Sequence, residues 1–270
     1  MTAEATLAGR RALVTGSSSG IGAESARWLA RAGAALVVHG RNSDKIAAVA
    51  AELRNCGADV ATVCGALDEP EAARAIAAEA LAAGPIDILV NNAGGAAAGN
   101  GTAQWFEALP EDWDRGYRAN VLSAVAMTQA IVPAMIERGW GRVIQTASAI
   151  VDNPIPTIPD YKAAKSALVS MTVSLAIALR GTGVTANAVS PGFTVTEGLR
   201  GWIESQAEAN GWGSEWSEIE RNAAAAIWPA LVPRLGRPAD IARAVLFFAE
   251  PAADFVTGQH LRVDGGLALA

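Results

Sequence analysis

The sequence predicts an α/β protein built on a doubly wound, seven-stranded parallel sheet with helices on both faces. Short runs rich in β-branched residues, such as ALVVHG at 35–40, alternate with longer alanine-rich segments of helical period. This alternation is the pattern of a parallel sheet with crossover helices. The run IDILVN at 86–91 is dominated by apolar residues, as in strands that are buried on both faces.

The individual elements follow from the same pattern. Strands are predicted at 11–16, 35–40, 59–65, 86–94, 141–148, 184–192 and 259–266. Helices are predicted at 23–33, 43–57, 69–83, 111–138, 159–181 and 238–250. Ser43 is the expected N-cap of the second helix.

No linker divides the chain, so we expect one domain over 1–270 with a substrate-lid insertion at about 194–235. So long an insertion in a compact domain is more often functional than idle. Four of the eight tryptophans lie in it: Trp202, Trp212, Trp216 and Trp228. They either form an aromatic pocket or pack the lid onto the sheet.

Composition excludes several classes of function. The net charge is −6 and no Lys/Arg cluster offers a basic face, so nucleic-acid binding is not expected. The apolar stretch 167–179 is too short to span a bilayer, and no signal peptide is read at the start, so a cytoplasmic protein is expected. Cys56, Cys64, His39 and His260 have no metal-binding spacing, and the cysteines are expected to be reduced rather than paired.

A glycine-rich turn, TGSSSGIG at 15–22, lies between the first strand and the first helix. Gly16, Gly20 and Gly22 allow a sharp turn and let a pyrophosphate approach the helix N-terminus, where free N–H groups favour anions. Its spacing is GxxxGxG rather than GxGxxG. Its place after an apolar strand predicts dinucleotide binding.

Four features together make the chain resemble the short-chain dehydrogenase/reductase family: TGxxxGxG, NNAG at 91–94, Ser148, and Tyr161-x-x-x-Lys165. The resemblance covers nearly the whole chain, from Leu7 to VDGG at 263–266. It implies a Rossmann-type sheet of seven strands. It also implies hydride transfer between a nicotinamide cofactor and a small-molecule carbonyl or alcohol.

Tyr161 and Lys165 are the candidate catalytic pair. A spacing of four places both on one helical face. An ammonium near the phenol is expected to lower the tyrosine pKa toward neutrality. The resemblance gives Lys165 a second role, in holding the ribose hydroxyls of the nicotinamide nucleotide. Lys162 turns away by about 100° and is expected to be solvated surface.

Ser148 and Asn120 complete the expected catalytic set. Ser148 lies at the carboxyl end of the fifth strand, where α/β sheets bind ligands, and its hydroxyl would hydrogen-bond the substrate oxygen. Asn120 matches the family's helix asparagine, whose backbone carbonyl holds a water that links Lys165 to solvent. The other interpretation of Ser148 is a simple turn residue.

The expected cofactor contacts come from four segments of the chain. They are Gly16, Ser17, Ser19, Gly20, Ile21 and Gly22 of the turn, Arg41 and Asn42 after the second strand, Ala66 and Leu67 after the third, and Asn91, Asn92, Ala93 and Gly94 after the fourth. Pro191, Gly192, Thr194 and Thr196 follow the sixth strand, and Tyr161 and Lys165 complete the set.

NADP(H) is favoured over NAD(H). NAD binders of this fold usually end the second strand with an acid that accepts the ribose hydroxyls, and that place holds Gly40. Arg41 follows and offers a guanidinium to a 2′-phosphate, with Ser17 and Asn42 as further donors. The family's adenine-binding Asp is also missing, because Gly65 or Ala66 stands there, depending on register.

Three functions remain in competition. They are a carbonyl reductase or secondary alcohol dehydrogenase, a 3-oxoacyl thioester reductase, and a non-catalytic dinucleotide sensor or scaffold. The segment 197–228 carries six glutamates and two arginines, and this charge of −4 disfavours an acidic acyl carrier. The four intact catalytic residues disfavour a sensor. The resemblance also implies a homotetramer.

Overall fold

Seven parallel strands form one sheet in the order β3-β2-β1-β4-β5-β6-β7, in a computed structural model that describes residues 5–96, 103–153 and 155–267. The strands are Arg11–Val14 (β1), Ala35–Gly40 (β2), Val60–Cys64 (β3), Ile88–Asn91 (β4), Gly141–Thr146 (β5), Val184–Pro191 (β6) and His260–Val263 (β7). The order reverses beside β1, between β2 and β4. This confirms the predicted Rossmann-type sheet, and every carboxyl end meets at one edge.

Nine α-helices accompany the sheet within the described residues. They are Gly20–Arg31 (α1), Ser43–Asn55 (α2), Pro70–Ala82 (α3), Pro110–Tyr117 (α4), Ser123–Glu137 (α5), Pro159–Ala178 (α6), Glu197–Asn210 (α7), Trp216–Ile227 (α8) and Pro238–Ala249 (α9). Helices α1, α2 and α9 bury their apolar sides on one face of the sheet, and α3 and α5 bury theirs on the other. Both faces are therefore covered, which explains the apolar strands.

Two helix predictions differ in detail from the structure. The N-cap of α2 is Asn42 and not Ser43, because the Asn42 side chain accepts a 2.9 Å hydrogen bond from the backbone N–H of Lys45. The helix predicted at 111–138 contains a π-helical segment, Arg118–Leu122, between α4 and α5. Such a bulge is common at functional sites and leaves no periodic signal in a sequence.

The stretch Pro110–Glu137 is the one helix, among the described residues, that is long and apolar enough to cross a membrane by length and composition. It is also a core helix, and 56% of its most apolar window is buried in the protein. The stretch 167–179, which looked most apolar in the sequence, does not meet this criterion. One such buried helix is weak evidence for a membrane span.

The insertion at 194–235 contains α7 and α8, which pack on each other around their own apolar cluster. That cluster includes Ile203, Trp212, Ile219 and Leu235. Thr194 forms a bridge with Gly236, which joins the two ends of the insertion beside the end of β6. The insertion is thereby held over the carboxyl edge of the sheet.

His39, at the end of β2, ties three strand ends together. Its Nδ1 accepts a 3.1 Å hydrogen bond from the backbone N–H of Gly16, and its Nε2 lies 3.1 Å from the carbonyl of Gly65. These partners require a neutral ring that carries its proton on Nε2. Burial lowers the pKa of His39 to about 4. The ring therefore stays neutral at physiological pH.

This low pKa predicts how stability depends on pH. The neutral ring stabilises the fold fully above the ordinary histidine pKa of 6.5, and this contribution is lost as pH falls toward 4. Its full size is about 3 kcal/mol. We expect urea unfolding between pH 7.5 and 4.5 to show a smaller loss of stability for His39→Gln than for the wild-type protein. Equal losses in the two proteins would refute this role.

Candidate active site

Two connected cavities lie along the carboxyl edge of the sheet. One, of about 910 Å³, lies over the ends of β1, β2 and β3, and we call it the β2-side cavity. The other, of about 680 Å³, lies over the ends of β5 and β6, and we call it the β6-side cavity. Ser19, Asn92 and Gly94 line both. The position matches that of ligand sites in open α/β sheets.

The glycine-rich turn forms the floor where the cavities meet. Gly16 and Gly20 have φ values of +66° and +56°, which side chains rarely adopt. A Cβ at Gly22 would overlap the carbonyl of Gly16 and the amide of Asn92. The Ser19 side chain does not cap α1, so the first N–H groups of that helix remain available to an anion.

Thr15, which the sequence did not single out, holds the NNAG segment against this turn. Its Oγ1 accepts hydrogen bonds from the backbone N–H groups of Asn92 and Ala93, at 2.9 and 3.0 Å. The Asn92 side chain donates in return to the carbonyl of Thr15 at 2.9 Å. One threonine therefore fixes the spacing between the ends of β1 and β4.

Gly40 has no room for the acidic side chain of an NAD-type site. A Cβ at this position would lie 2.7 Å from Ser18 Oγ. Ser18 and the exposed Arg41 line the β2-side cavity beside it. The chain therefore presents a hydroxyl and a guanidinium where NAD binders carry a carboxylate.

Ser17 and Asn42 are turned away from this cavity, contrary to the expectation that they add hydrogen bonds there. Ser17 is buried, and its hydroxyl donates to the carbonyl of Val14 at 2.7 Å and accepts from the backbone N–H of His39 at 3.0 Å. The side-chain amide oxygen of Asn42 accepts the hydrogen bond that caps α2. Ser18 supplies the hydroxyl that Ser17 was expected to supply.

Tyr161 and Lys165 lie in the first two turns of α6 and line the β6-side cavity with Ser148. The Ser148 hydroxyl favours the ionised form of Tyr161 and acts to lower its pKa. Ser148 caps a 3₁₀ turn, where its Oγ accepts a bond from the N–H of Ile150 at 3.3 Å. The turn that was the alternative interpretation of Ser148 is thus present, and Ser148 also lines the cavity with Tyr161.

Lys165 is buried, and its Nζ donates a 2.8 Å hydrogen bond to the carbonyl of Thr146 at the end of β5. The ammonium lies 5.5 Å from the centre of the Tyr161 ring. Burial lowers the pKa of Lys165 to about 8. Lys162 lines neither cavity, and it is partly buried rather than fully solvated.

Burial also raises the pKa of Tyr161, and the Ser148 hydroxyl acts in the opposite direction. The expectation that Lys165 brings this pKa toward neutrality is therefore not met here. The ammonium is bonded to the Thr146 carbonyl and lies beside the ring, and desolvation of the phenolate dominates. The phenol consequently keeps its proton at neutral pH.

Asn120 lies in the π-helical segment and is almost fully buried. Its amide nitrogen donates to the carbonyls of Gly95 and Gly116 at 2.8 Å, and its oxygen accepts from the N–H of Gly95. A Cβ at Gly94 would overlap this oxygen and lie 3.4 Å from Lys165 Nζ. Asn120 thus packs next to Lys165 and holds the cavity wall, although it does not line the cavity.

Most of the expected cofactor residues line the two cavities. Those that do are Gly16, Ser19, Gly20, Ile21, Gly22, Arg41, Ala66, Leu67, Asn92, Ala93, Gly94, Tyr161, Lys165, Pro191, Gly192, Thr194 and Thr196. Asn91 does not, because it is buried and donates to Thr128 Oγ1 at 3.2 Å. Gly65 and Ala66, the two positions considered for the missing adenine-binding acid, follow β3 directly and both line the β2-side cavity.

The tryptophans of the insertion divide between the two roles considered for them. Trp212 is buried in the lid cluster, and Trp216 packs against that cluster. Trp228 instead lines the β6-side cavity together with Phe193. The sequence contained this aromatic wall but did not show which tryptophan would form it.

Comparison with known proteins identifies the family. The sequence model described as short chain dehydrogenase matches residues 10–207. The 7alpha-hydroxysteroid dehydrogenase of Escherichia coli is 33% identical over 96% of this chain and 94% of the relative.

Two solved structures share the fold over nearly the whole chain. A 3-oxoacyl (acyl-carrier-protein) reductase from Agrobacterium tumefaciens with NADP bound has a TM-score of 0.86 and 33% identity, covering 96% of this chain and 95% of that one. L-sorbose reductase from Gluconobacter frateurii, complexed with NADPH and L-sorbose, has a TM-score of 0.90 and 29% identity over the full length of both chains. The chain belongs to the short-chain dehydrogenase/reductase family.

Proposed function

We propose that the protein is an NADP(H)-dependent carbonyl reductase or secondary alcohol dehydrogenase. The observation that carries this proposal is the convergence of Tyr161, Ser148 and Lys165 on one cavity that continues over the glycine-rich turn. A reacting carbonyl beside Tyr161 therefore has a proton donor, a second hydrogen-bond donor and an adjacent dinucleotide site. Membership of an oxidoreductase family supports the same chemistry.

Each of the four site residues has its own role in carbonyl reduction. The cofactor, when bound, supplies a hydride to the carbonyl carbon. Ser148 and Tyr161 hold the carbonyl oxygen by hydrogen bonds that strengthen as negative charge develops on it. Tyr161 then transfers its phenolic proton to that oxygen. Lys165 stabilises the resulting phenolate, and Asn120 packs beside Lys165 and fixes the adjoining wall.

NADP(H) is the proposed cofactor. Ser18 fills the space that an acid at position 40 would need, so a ribose 2′-hydroxyl loses its usual partner. Arg41 beside it suits a 2′-phosphate. The related structures with NADP or NADPH bound support this choice.

Assembly and location are proposed on the same family grounds. We place the protein in the cytoplasm as a homotetramer. Val173 and Ile177 leave an apolar strip exposed on α6, and Phe255 is fully exposed just before β7. Exposed apolar surfaces of this kind suit contacts between the subunits of a homotetramer.

The 3-oxoacyl thioester alternative has one observation in its favour, the similarity to the Agrobacterium reductase. The acidic lid opposes an acidic carrier. A non-catalytic sensor has no observation in its favour, since all four catalytic side chains are present and three of them line the cavity.

Tyr161→Phe tests the proton donor. We expect kcat for ketone reduction to fall by about 10²-fold or more, because the general acid is lost. NADPH binding, measured by fluorescence titration, should change little. Tyr117→Phe is the matched control, because Tyr117 is the only other tyrosine and is exposed outside both cavities. Full activity in Tyr161→Phe would eliminate this mechanism.

Arg41→Ala tests cofactor choice. We expect the Kd for NADPH to rise by about 10-fold or more, through loss of charge-assisted hydrogen bonds, and the Kd for NADH to stay within about 2-fold. Arg74→Ala is the control, since Arg74 is exposed on α3 and pairs with Glu71 outside both cavities. An equal loss of affinity for NADPH and NADH in Arg41→Ala would show that Arg41 does not bind a 2′-phosphate.

The pKa of Lys165 predicts how the rate of reduction depends on pH. The ammonium is lost as pH rises through about 8, and the phenolate then loses its stabilising charge. We therefore expect kcat/KM to decline above pH 8. Arginine keeps its charge, so Lys165→Arg should have a lower maximum but no decline near pH 8. A decline at the same pH in both proteins would assign it to another group.

A further inference from the structure

The part of the β6-side cavity next to Tyr161 is walled mainly by apolar side chains. Ile150, Ile155 and Ile158 line it on the side of the β5–α6 connection. Phe193 and Trp228 line it on the side of the lid. A ligand whose reacting oxygen meets Tyr161 must therefore place the rest of its body against hydrocarbon and aromatic surface.

The aromatic side of this wall is preorganised. The rings of Phe193 and Trp228 are stacked with centroids 5.3 Å apart at 22°, and Trp202 meets Phe193 edge-on at 6.3 Å. All three rings belong to or pack against the lid segment, and Phe193 and Trp228 pack on its apolar cluster. A rigid aromatic wall of this kind suits a cyclic or aromatic body rather than a flexible polar chain.

Ile158 contributes an apolar side chain to the wall although its backbone conformation is unfavourable for isoleucine. Its φ of +50° is the only positive value at a non-glycine residue in the described parts of the chain. A β-branched residue adopts this region at a steric cost that Gly or Asn would avoid. Isoleucine stands there nonetheless, and its side chain lines the cavity.

The two cationic side chains among the described residues that line the cavity both have partners within the protein. Among its described lining residues, the ionisable side chains other than Tyr161 are Lys45, Lys165 and Glu197. Lys165 is bonded to Thr146, and Lys45 lies 3.9 Å from Glu197. The sequence of the two internal segments outside the described residues, 97–102 and 154, contains no charged residue.

Most hydrogen-bonding side chains among the described lining residues already have partners within the protein, as Asn92, Thr194 and Thr196 do. Ser148 and Tyr161 are committed to the reacting oxygen, and the Asn153 amide donates to the carbonyl of Ala149 at 3.1 Å. Trp228 Nε1 and Thr146 Oγ1 are the buried lining groups without a partner among the described residues, so additional substrate hydroxyls would lose their hydrogen bonds to water with little replacement.

We infer that this site selects an uncharged, largely apolar cyclic or aryl ketone, or the corresponding secondary alcohol, whose body packs against Phe193 and Trp228. Sugar-like polyols and substrates with a carboxylate near the carbonyl are rejected. This inference rests on the proposed function for the reaction itself. In that reaction the ketone gains a hydride from NADPH and a proton from Tyr161, and NADP⁺ and the alcohol are released.

Four cyclohexanones that differ only at C4 test the inference with the wild-type protein and NADPH. We expect kcat/KM to fall in the order tert-butyl, methyl, hydroxyl, carboxylate. The methyl compound should exceed the hydroxyl compound by about 10-fold, because a buried hydroxyl is left unpaired. It should exceed the carboxylate by about 100-fold, because an unpaired charge is buried. Equal or better use of the hydroxyl or carboxylate compound, or of L-sorbose, would overturn the inference.

Variants locate the selection on the named residues. Trp228→Ala should raise KM for the tert-butyl ketone by about 10-fold with a smaller effect on kcat. Trp216→Ala is the control, because Trp216 belongs to the lid but does not line the cavity. Ile155→Lys should improve kcat/KM for the carboxylate by about 10-fold, since it supplies the missing cation at a partly exposed wall position. No gain in Ile155→Lys together with no loss in Trp228→Ala would place selection elsewhere.

Calorimetric titration of Tyr161→Phe with the tert-butyl ketone in the presence of NADPH gives a readout without turnover. Binding of this ketone but not of the carboxylate compound supports the inference, whether or not the wild-type protein reduces any ketone. Failure of the wild-type protein to reduce any ketone would reject only the proposed function. Turnover of polyols without binding of the apolar ketone rejects the inference and leaves the proposed function intact. Absence of both binding and turnover contradicts the inference.

Discussion

The bond from Lys165 Nζ to the carbonyl of Thr146 is the contact on which the site depends. It joins α6 to the end of β5, so the helix that carries Tyr161 is registered against the strand that leads to Ser148. The ammonium is buried, and burial lowers its pKa to about 8. A charge is thus held beside the phenol at physiological pH, where it can stabilise the phenolate that proton transfer leaves behind.

The other half of the cleft depends on close backbone approach. A side chain at position 40 would collide with Ser18. His39 contacts both the glycine-rich turn and the segment after β3. The same packing that positions the turn also removes the place for a ribose-binding acid. Structure and proposed cofactor preference therefore come from one arrangement, which leaves Arg41 as the charged side chain directly after Gly40.

The fold could be predicted from the sequence because hydrophobic periodicity and strand spacing determine it. The Tyr161–Lys165 pair could be predicted because the chain resembles a known family, and a spacing of four along one helix places both residues on the same face. The sequence contains no comparable signal for the direction of a side chain in a tight turn. Ser17 was therefore predicted to contact the cofactor, whereas Ser18 is the serine that lines the cavity. The pKa of Tyr161 was misjudged for a related reason, since burial is a property of the assembled site and spacing reports only proximity.

Transfer of deuterium tests the central claim most directly. NADPH labelled with deuterium on one face of C4 would be incubated with the wild-type protein and 4-tert-butylcyclohexanone, and the alcohol analysed by mass spectrometry. We expect label from one of the two faces, and only one, to appear on the carbinol carbon at one atom per turnover, with none from deuterated water. An alcohol that takes this hydrogen from water, or an equal yield of labelled alcohol from Tyr161→Phe, would contradict hydride transfer at this site.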